Sequence, residues 1–151
     1  MAIKDSGERC EFLSGAVRDI QEGKGRPSLL PLEVVYMLTN DIVIYYIGRF
    51  KDEGDTMNLI YALSHFSRKA YDSYETMLLE VSKHYEEGNK KYPPGDDGVP
   101  NWKLGIPVDS YLDSAIRHYL KYRRGDQDEN HDRAFVWNIM CCIWEVECHG
   151  K

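Results

Sequence analysis

The chain has 151 residues, which is the size of one domain and is long enough to bury a substantial core. Charged residues make up 29% of the sequence and apolar residues 42%, values that exclude an intrinsically disordered chain. The net charge of −6 argues against direct nucleic-acid binding and against an anionic membrane surface, because both partners favour basic proteins.

The first half of the chain predicts an extended arm followed by helices. Residues 1–31 combine glycines, prolines and charges with little apolar periodicity, and we expect an arm with one short helical turn around 16–20. Apolar residues at helical spacing predict a helix over 32–50, which the sequence KDEGD then breaks. Two more helices are predicted, through 57–66 and from about 71 to 87.

The second half begins with a loop and continues with two helices. Residues 92–107, YPPGDDGVPNWKLGIP, form a loop too long for a simple connector, and such loops are often functional. Ser110 and Asp113 make an N-terminal capping pattern for a helix over about 111–123, and a last helix follows over 131–148. No alternation typical of strands occurs, so the predicted fold class is all-α, a helical bundle.

The cysteines and the apolar runs indicate where the protein resides. The spacing of Cys10, Cys141, Cys142 and Cys148 fits no zinc pattern, and buried reduced thiols are the commoner role in an apolar helix. The opening residues MAIKDSGERC are unlike a signal peptide, and no apolar run reaches the ~20 residues that span a bilayer. We expect a soluble, cytoplasmic protein without a membrane partner.

Acidic side chains near the last two helices have a structural and a functional interpretation. Asp113 is one helical turn from Arg117 and can pair with it, or it can be the acid of the capping pattern. Asp128, Glu129 and Asp132 fall in a first helical turn, where acids complement the helix dipole. Neither role accounts for the basic and imidazole side chains among them, which are Arg117, His118, Lys121 and His131.

Metal binding is the functional interpretation of these acids. Glu129 and Asp132 form E-x-x-D, whose carboxylates share one helix face and can share a Mg²⁺ or Mn²⁺ ion. The pattern is weak alone and needs a partner on a facing helix. The sequence LLEVSKHYEEGNKKY predicts a helix with one buried apolar face. Glu80, His84 and Glu87 lie along one edge of that face, and Glu86 lies nearer the other edge. A solvated face remains the alternative for that helix.

Three blocks of the sequence resemble a known family. They are KDSGERCEFLSGAVRDIQEGKGRPSLLP, HYEEGNKKY and NWKLGIPVDSYLDSAIRHYLKYRRGDQDENHDRAFVWN. These blocks resemble the phage dATP/dGTP diphosphohydrolases, the MazZ-type relatives of the MazG nucleotide pyrophosphohydrolases. The resemblance covers residues 4–31 and about 78–146. Residues 36–77 carry no matching motif and are a candidate insertion specific to a sub-branch.

The resemblance implies a fold and a reaction. The fold is a single MazG-like all-α helical bundle over residues 1–151 with residues 1–31 as an extended N-terminal arm, assembled as a homo-oligomer, dimer or tetramer. The substrates are the deoxypurine triphosphates dGTP and dATP, cleaved to the monophosphate and pyrophosphate with two or more Mg²⁺ or Mn²⁺ ions per site. In phages that replace adenine with 2-aminoadenine, the implied role is to remove dATP and supply dGMP.

The resemblance also implies catalytic and metal-binding residues. The MazG superfamily carries E-x-x-E on one helix and E-x-x-D on another. Glu129 and Asp132 fit the second pattern, whereas His84 replaces one acid of the first, which ends at Glu87. The implied catalytic residues are Glu87, Glu129 and Asp132. The metal-ligand candidates, with the choice among the first three open, are Glu80, Glu86, Glu87, Asp113, Glu129 and Asp132.

Substrate-binding candidates follow from charge and from the resemblance. An acidic protein must supply positive charge locally for phosphates, which singles out Lys24, Arg26, Lys91, Arg117 and Lys121. The family's RH and WN fall on Arg117, His118, Trp137 and Asn138. Either Asn101 with Trp102 or Trp137 with Asn138 could stack on and hydrogen-bond a base, although a core role is commoner for each tryptophan.

Two other functions compete with the diphosphohydrolase. A non-catalytic interaction module would use the charged cluster only to bind a partner. A triphosphate-releasing dNTP hydrolase of the HD type would use a His-Asp pair, and His131 and Asp132 provide one such dipeptide. The identity of the released product, pyrophosphate or triphosphate, distinguishes these functions.

Overall fold

A computed structural model describes residues 3–150. The predicted all-α fold class is confirmed, because six α-helices account for most of the described chain. The helices are α1 (Leu32–Thr39), α2 (Ile42–Glu53), α3 (Met57–Ala70), α4 (Tyr74–Lys91), α5 (Val108–Arg124) and α6 (His131–Glu147). Among residues 3–150, none of the helices combines the length and the apolar character needed to cross a bilayer.

The arm contains a small β-hairpin, so the prediction of no strands and of a helical turn around 16–20 was wrong. Strands β1 (Arg9–Glu11) and β2 (Val17–Asp19) pair antiparallel, with Cys10 opposite Arg18. Gly15 lies in the connecting turn at a φ of 89°, a conformation that favours glycine. Strands of three residues are too short to show an alternating pattern in the sequence.

The predicted helix over 32–50 is two helices. Asn40 adopts a left-handed conformation with a φ of 52°, which ends α1. The carboxylate of Asp41 then caps α2 by accepting the backbone N–H groups of Val43 at 2.9 Å and Ile44 at 3.3 Å. The apolar spacing continues across this break, and periodicity alone therefore could not locate it.

Two other predicted boundaries shift by several residues. The hydroxyl of Ser73 caps α4 by accepting the N–H of Thr76 at 3.2 Å, and α4 continues through Gly88 to Lys91. Helix α5 begins at Val108, directly after Pro107, so Ser110 lies inside the helix and the predicted capping pattern was wrong. The last helix matches its prediction.

The core is centred on aromatic side chains where α3, α5 and α6 meet. The ring of Phe66 packs edge-on against Tyr119 at 5.8 Å and Phe135 at 4.7 Å between centroids. The Tyr119 hydroxyl donates to both oxygens of Asp41, at 2.8 and 2.6 Å. All four cysteines are free thiols: Cys141 and Cys142 are buried, Cys10 is half-buried and Cys148 is exposed.

The arm is fastened to the helical bundle by Asp113 of α5. This buried carboxylate accepts the Ser28 N–H at 2.9 Å and the Arg26 Nε–H at 2.9 Å. Burial alone would raise the pKa of Asp113, but these two donors hold it below its usual range. The arm therefore lies across α5 and covers the space between α4, α5 and α6.

Candidate functional site

A cavity of about 600 Å³ lies beneath the arm. Its walls come from strand β2 and the parts of the arm before β1 and after β2, from the second half of α4, from the loop before α5, and from the facing sides of α5 and α6. This volume is typical of pockets that hold small molecules. The three segments that resemble the diphosphohydrolases all contribute to it.

Four buried polar atoms point to a ligand in this cavity. Among the described residues, the buried side-chain nitrogen and oxygen atoms without a hydrogen-bond partner are Arg18 Nη1, Gln21 Oε1, Arg117 Nε and Trp137 Nε1. All four residues line the cavity. Because buried polar groups in native proteins are nearly always paired with protein, water or ligand atoms, the concentration of these four atoms at one cavity marks it as a candidate binding site. Three of the atoms are donors, which suits a ligand rich in acceptor oxygens.

Arg18 is the most unusual of these residues. Its Nη2 donates to Ser114 Oγ at 3.1 Å and to Asn138 Oδ1 at 3.2 Å. The guanidinium carbon lies 5.5 Å from the ring centre of Tyr111 and 5.7 Å from that of Trp137. Burial lowers the pKa of Arg18, and none of the described ion pairs involves it. A buried cation held only by neutral and aromatic partners is well placed for an anion.

The cavity is positively charged although the protein is acidic overall. Six of its lining side chains are Lys or Arg, whereas three are Asp or Glu. The cations other than Arg18 are Lys4, Lys24, Lys91, Arg117 and Lys121. Burial lowers the pKa values of Lys91 and Arg117, so an anionic ligand would stabilise the charge of both side chains. This arrangement suits a polyphosphate.

His84 of α4 contributes a neutral imidazole to the cavity wall. Burial is the main cause that lowers its pKa to about 4, with Arg133, Lys91 and Arg18 adding to the shift. Its ring lies 5.8 Å from that of Trp137. The side chain is therefore uncharged near neutral pH and packs against the aromatic side of the cavity.

Most of the predicted substrate-binding residues do line the cavity. They are Lys24, Lys91, Asn101, Arg117, His118, Lys121 and Asn138. Arg26 and Trp102 lie outside it: Arg26 pairs with Asp113, and the Trp102 ring packs 5.1 Å from that of Trp144. Asn101 and Asn138 are already engaged, because Asn101 bonds the backbone of Val17 at both amide atoms and Asn138 bonds Arg18.

The predicted carboxylate ligands are not brought into one cluster. On α4, Glu80 pairs with Arg133 at 2.6 Å and Lys83 at 3.0 Å, and these donors lower its pKa. Glu86 is exposed, and Glu87 accepts the Ile3 N–H at 3.2 Å.

The two acids of the E-x-x-D pattern separate in the structure. Asp132 accepts the Tyr71 hydroxyl at 2.8 Å, whereas Glu129 lines the cavity and accepts the Lys4 N–H at 3.1 Å. Asp113, the remaining candidate, fastens the arm as described above. Of the six predicted metal ligands, Glu129 is the one that lines the cavity.

Imidazole groups lie next to Glu129. Among the described residues, two groups of three possible ligands have their donor atoms within 4.8 Å of one another. They are His118, Glu129 and His131, and Asp126, Asp128 and His131. The first group adjoins the cavity through His118 and Glu129. Neither group includes Asp132 or an acid of α4.

The sequence did not single out the arm residues that complete the cavity. Lys4, Arg18 and Gln21 line it, and Arg18 and Gln21 also carry unpaired atoms. All three residues lie in the block KDSGERCEFLSGAVRDIQEGKGRPSLLP, whose resemblance to the family was the available sign that this segment matters. Choosing Arg18 within that block required the hairpin register, which faces this side chain towards α5 and α6.

Comparison with known proteins gives a match to one sequence family. The family model described as dATP/dGTP diphosphohydrolase, N-terminal, matches residues 57–151, which is more than half of the chain. The matched region includes α3 to α6 and therefore the cavity walls formed by α4, α5 and α6. No curated protein and no solved structure matches the chain.

Proposed function

Since the chain belongs to the dATP/dGTP diphosphohydrolase family, we propose that it hydrolyses dGTP and dATP to the monophosphate and pyrophosphate with a divalent metal ion. The observation that carries this proposal is the cationic cavity with its four unpaired buried polar atoms. A deoxynucleoside triphosphate has the phosphate oxygens to pair with the arginine donors and a base to occupy the aromatic side.

The arrangement of donors suggests where the phosphates bind. Arg18 and Arg117 line the cavity and each carries a buried N–H group without a partner, while Lys24, Lys91 and Lys121 provide charge at its walls. Hydrogen bonds from guanidinium groups to phosphate oxygens are among the stronger ones in proteins. These side chains would hold the triphosphate so that its α-phosphate is accessible to water.

Aromatic and amide groups form one side of the cavity, next to Arg18. Trp137 packs beside His84 and Tyr111, with ring centres at 5.8 and 6.0 Å. The Gln21 amide donates through Nε2 to the Asp19 carbonyl at 2.6 Å, which leaves Oε1 as an acceptor. We assign the base to this side.

A metal ion fits the residues present. When bound, Mg²⁺ or Mn²⁺ would neutralise charge on the attacked phosphate and polarise the attacking water. Mg²⁺ is often held through one or two carboxylates, waters and substrate phosphates, and Glu129 offers one such carboxylate at the cavity wall. The neighbouring imidazoles of His118 and His131 extend this set of donors.

The biological role and the assembly belong to the same proposal. We assign the chain the role that the resemblance implies, which is removal of dATP and supply of dGMP in phage DNA metabolism with 2-aminoadenine. We also propose a homo-oligomer, dimer or tetramer. Large apolar side chains exposed on α1, Met37 and Leu38 among them, support association with a second copy.

A product assay tests the function directly. The protein is incubated with dGTP or dATP and Mg²⁺ or Mn²⁺, and the products are separated by ion-exchange chromatography. The proposal expects the monophosphate and pyrophosphate in equal amounts. Release of triphosphate would instead indicate the HD-type reaction, and absence of turnover with either metal would indicate an interaction module.

A further inference from the structure

Two histidines and a glutamate converge where α5 and α6 meet beside the cavity. We propose that His118, Glu129 and His131 form a binding site for one transition-metal ion, such as Mn²⁺, Co²⁺ or Zn²⁺. The inference rests on the proposed function for its biochemical meaning, since the ion would lie at the wall of the nucleotide cavity. The binding of metal itself can be measured without a nucleotide.

The three ligands come from different elements that the fold brings together. His118 lies on the last part of α5, His131 is the first residue of α6, and Glu129 lies in the segment between the helices. The Nδ1 atoms of the two histidines are 2.9 Å apart, and a carboxylate oxygen of Glu129 completes the group within 4.8 Å. His131 is 2% exposed, so its ring position is fixed by packing.

Asp128 prepares His131 for metal coordination. The His131 Nε2 lies 2.6 Å from the Asp128 carboxylate, which can only accept there, so we assign the ring proton to Nε2. The lone pair then lies on Nδ1, the atom that faces His118. Histidines that bind metals usually donate their other ring N–H to a carboxylate in this way. Lys4 Nζ holds the second Asp128 oxygen at 2.7 Å.

His118 is placed to complete the site with His131. It is half-buried at the wall of the cavity, and its ring centre lies 5.1 Å from that of His131. Imidazole nitrogen is among the commonest metal ligands in proteins, and two such rings in contact offer two nitrogens to one ion.

The second group of possible ligands is a poorer candidate. The carboxylate of Asp126 is held by Arg124 at 2.7 and 2.5 Å, and Asp128 is held by Lys4 and His131. A metal there would have to displace these charged donors. Glu129, by contrast, receives the single backbone N–H of Lys4 described above.

The donor set predicts which ions bind. Imidazole nitrogens favour Zn²⁺, Co²⁺, Ni²⁺ and related transition metals, whereas Mg²⁺ favours oxygen ligands and dehydrates reluctantly. Two nitrogens and one carboxylate therefore select a transition metal over Mg²⁺ in the absence of substrate. This is a different site from the all-carboxylate pair of Glu129 and Asp132 that the sequence pattern indicated.

The test is a Co²⁺ titration of the full-length protein without nucleotide, followed by the visible absorption of the bound ion. Equilibrium dialysis with Mn²⁺ gives the stoichiometry independently. We expect one ion per chain in the unmodified protein and loss of binding in His118→Asn and His131→Asn. Asp128→Ala should weaken binding by about 10- to 100-fold, as for other outer carboxylate partners. Asp126→Asn, on the same segment, is the matched control and should bind normally.

The outcomes separate the metal site from the proposed function. Circular dichroism shows whether the histidine variants fold. If they do not, Asp128→Ala, which changes a side chain at the surface, still tests the site. Unchanged Co²⁺ binding in Asp128→Ala and in the folded histidine variants, or loss of binding in Asp132→Asn instead, would overturn the site. Co²⁺ binding without pyrophosphate release from dGTP would leave the site standing and refute the enzymatic function.

Discussion

The side-chain amide of Asn101 holds the backbone of Val17 at both of its polar groups. The Val17 N–H donates to Asn101 Oδ1 at 2.7 Å, and Asn101 Nδ2 donates to the Val17 carbonyl at 2.7 Å. This pair connects the loop before α5 to strand β2, one residue from Arg18. The position of the buried guanidinium therefore depends on a contact made by its neighbour, and we expect Asn101 to influence ligand binding through the arm.

Replacing Asn101 with aspartate tests this dependence. A carboxylate cannot donate to the Val17 carbonyl, so one buried hydrogen bond is lost and a charge is placed beside an acceptor. We expect Asn101→Asp to lower the free energy of unfolding by about 1–3 kcal/mol and to lower kcat/KM for dGTP. Urea unfolding and initial rates measure the two effects. Asn89→Asp, at an exposed position of α4, is the matched control and should change neither quantity substantially.

Arg18 itself should determine how tightly the triphosphate binds. We expect Arg18→Gln to lower kcat/KM for dGTP by about 10- to 100-fold, because hydrogen bonds to charged groups contribute roughly 1.5–3 kcal/mol. Arg18→Lys should recover part of the loss, since it restores charge without the paired N–H groups. Arg49→Gln removes an exposed arginine of α2 and serves as the control. Equal kcat/KM in the Arg18 and Arg49 variants would remove Arg18 from the site.

The helices could be predicted better than the site, because helices depend on residues that are close in the sequence and the site depends on contacts between distant ones. The starts of α3 and α6 follow from apolar spacing and local breaks, which are properties of neighbouring residues. Whether Asp113 caps its own helix or binds Ser28 depends on a contact across 85 positions of sequence, and α5 starts earlier because Pro107 precedes it.

The site illustrates the same limit. Lys91, which was singled out by its charge, lines the cavity together with Arg117 and His118, which carry the family's RH, since those blocks keep their helical positions. Asp132 shares a helix face with Glu129 in principle, but the Tyr71 hydroxyl engages its carboxylate from the linker before α4. Spacing along one helix cannot reveal a competing donor from another element.

Protonation of His84 should destabilise the protein at mildly acidic pH. Its pKa is about 4 in the folded state, against 6.5 for an ordinary histidine, so the unfolded chain binds more protons between these values. The contribution of neutral His84 to the free energy of unfolding is complete above about pH 6.5. As the pH falls towards 4 this contribution is lost, by about 3 kcal/mol in total. We expect His84→Gln to show a smaller decrease in unfolding free energy between pH 7 and pH 4.5. Parallel pH profiles for both proteins would contradict this assignment.

Assembly should depend on the apolar surface of α1. Met37 and Leu38 are 79% and 80% exposed, which is unusual for adjacent large apolar side chains on a helix. Light scattering at micromolar concentration should give a dimer or a tetramer, and Met37→Lys with Leu38→Lys should shift the mass towards the monomer. Leu13→Lys, in the turn of the arm hairpin, is an apolar-to-charged control at another fully exposed position. A monomeric unmodified protein would exclude the homo-oligomer.

The cavity should select purine bases, because Trp137 offers a hydrogen-bond donor to an acceptor atom that guanine and adenine share. The indole Nε1–H of Trp137 is buried and unpaired, and the N7 atom of guanine and of adenine is an acceptor that pyrimidines lack. The two asparagines that could have read the base edge are engaged elsewhere, so the shared N7 acceptor is the feature available for recognising both purines. We therefore expect turnover of dGTP and dATP, with dCTP and dTTP much poorer.

Comparison with 7-deaza-dGTP, which lacks the N7 acceptor, isolates the indole contact. One neutral hydrogen bond contributes about 0.5–1.5 kcal/mol, so the unmodified protein should use 7-deaza-dGTP about 2- to 10-fold less well than dGTP. Trp137→Phe keeps an aromatic ring but removes the donor, and it should use both nucleotides equally. Trp144→Phe, whose indole packs against Trp102 away from the cavity, should retain the difference. Comparable kcat/KM for dCTP and dGTP would refute the purine-binding surface, because neither ring size nor N7 would then contribute to selection.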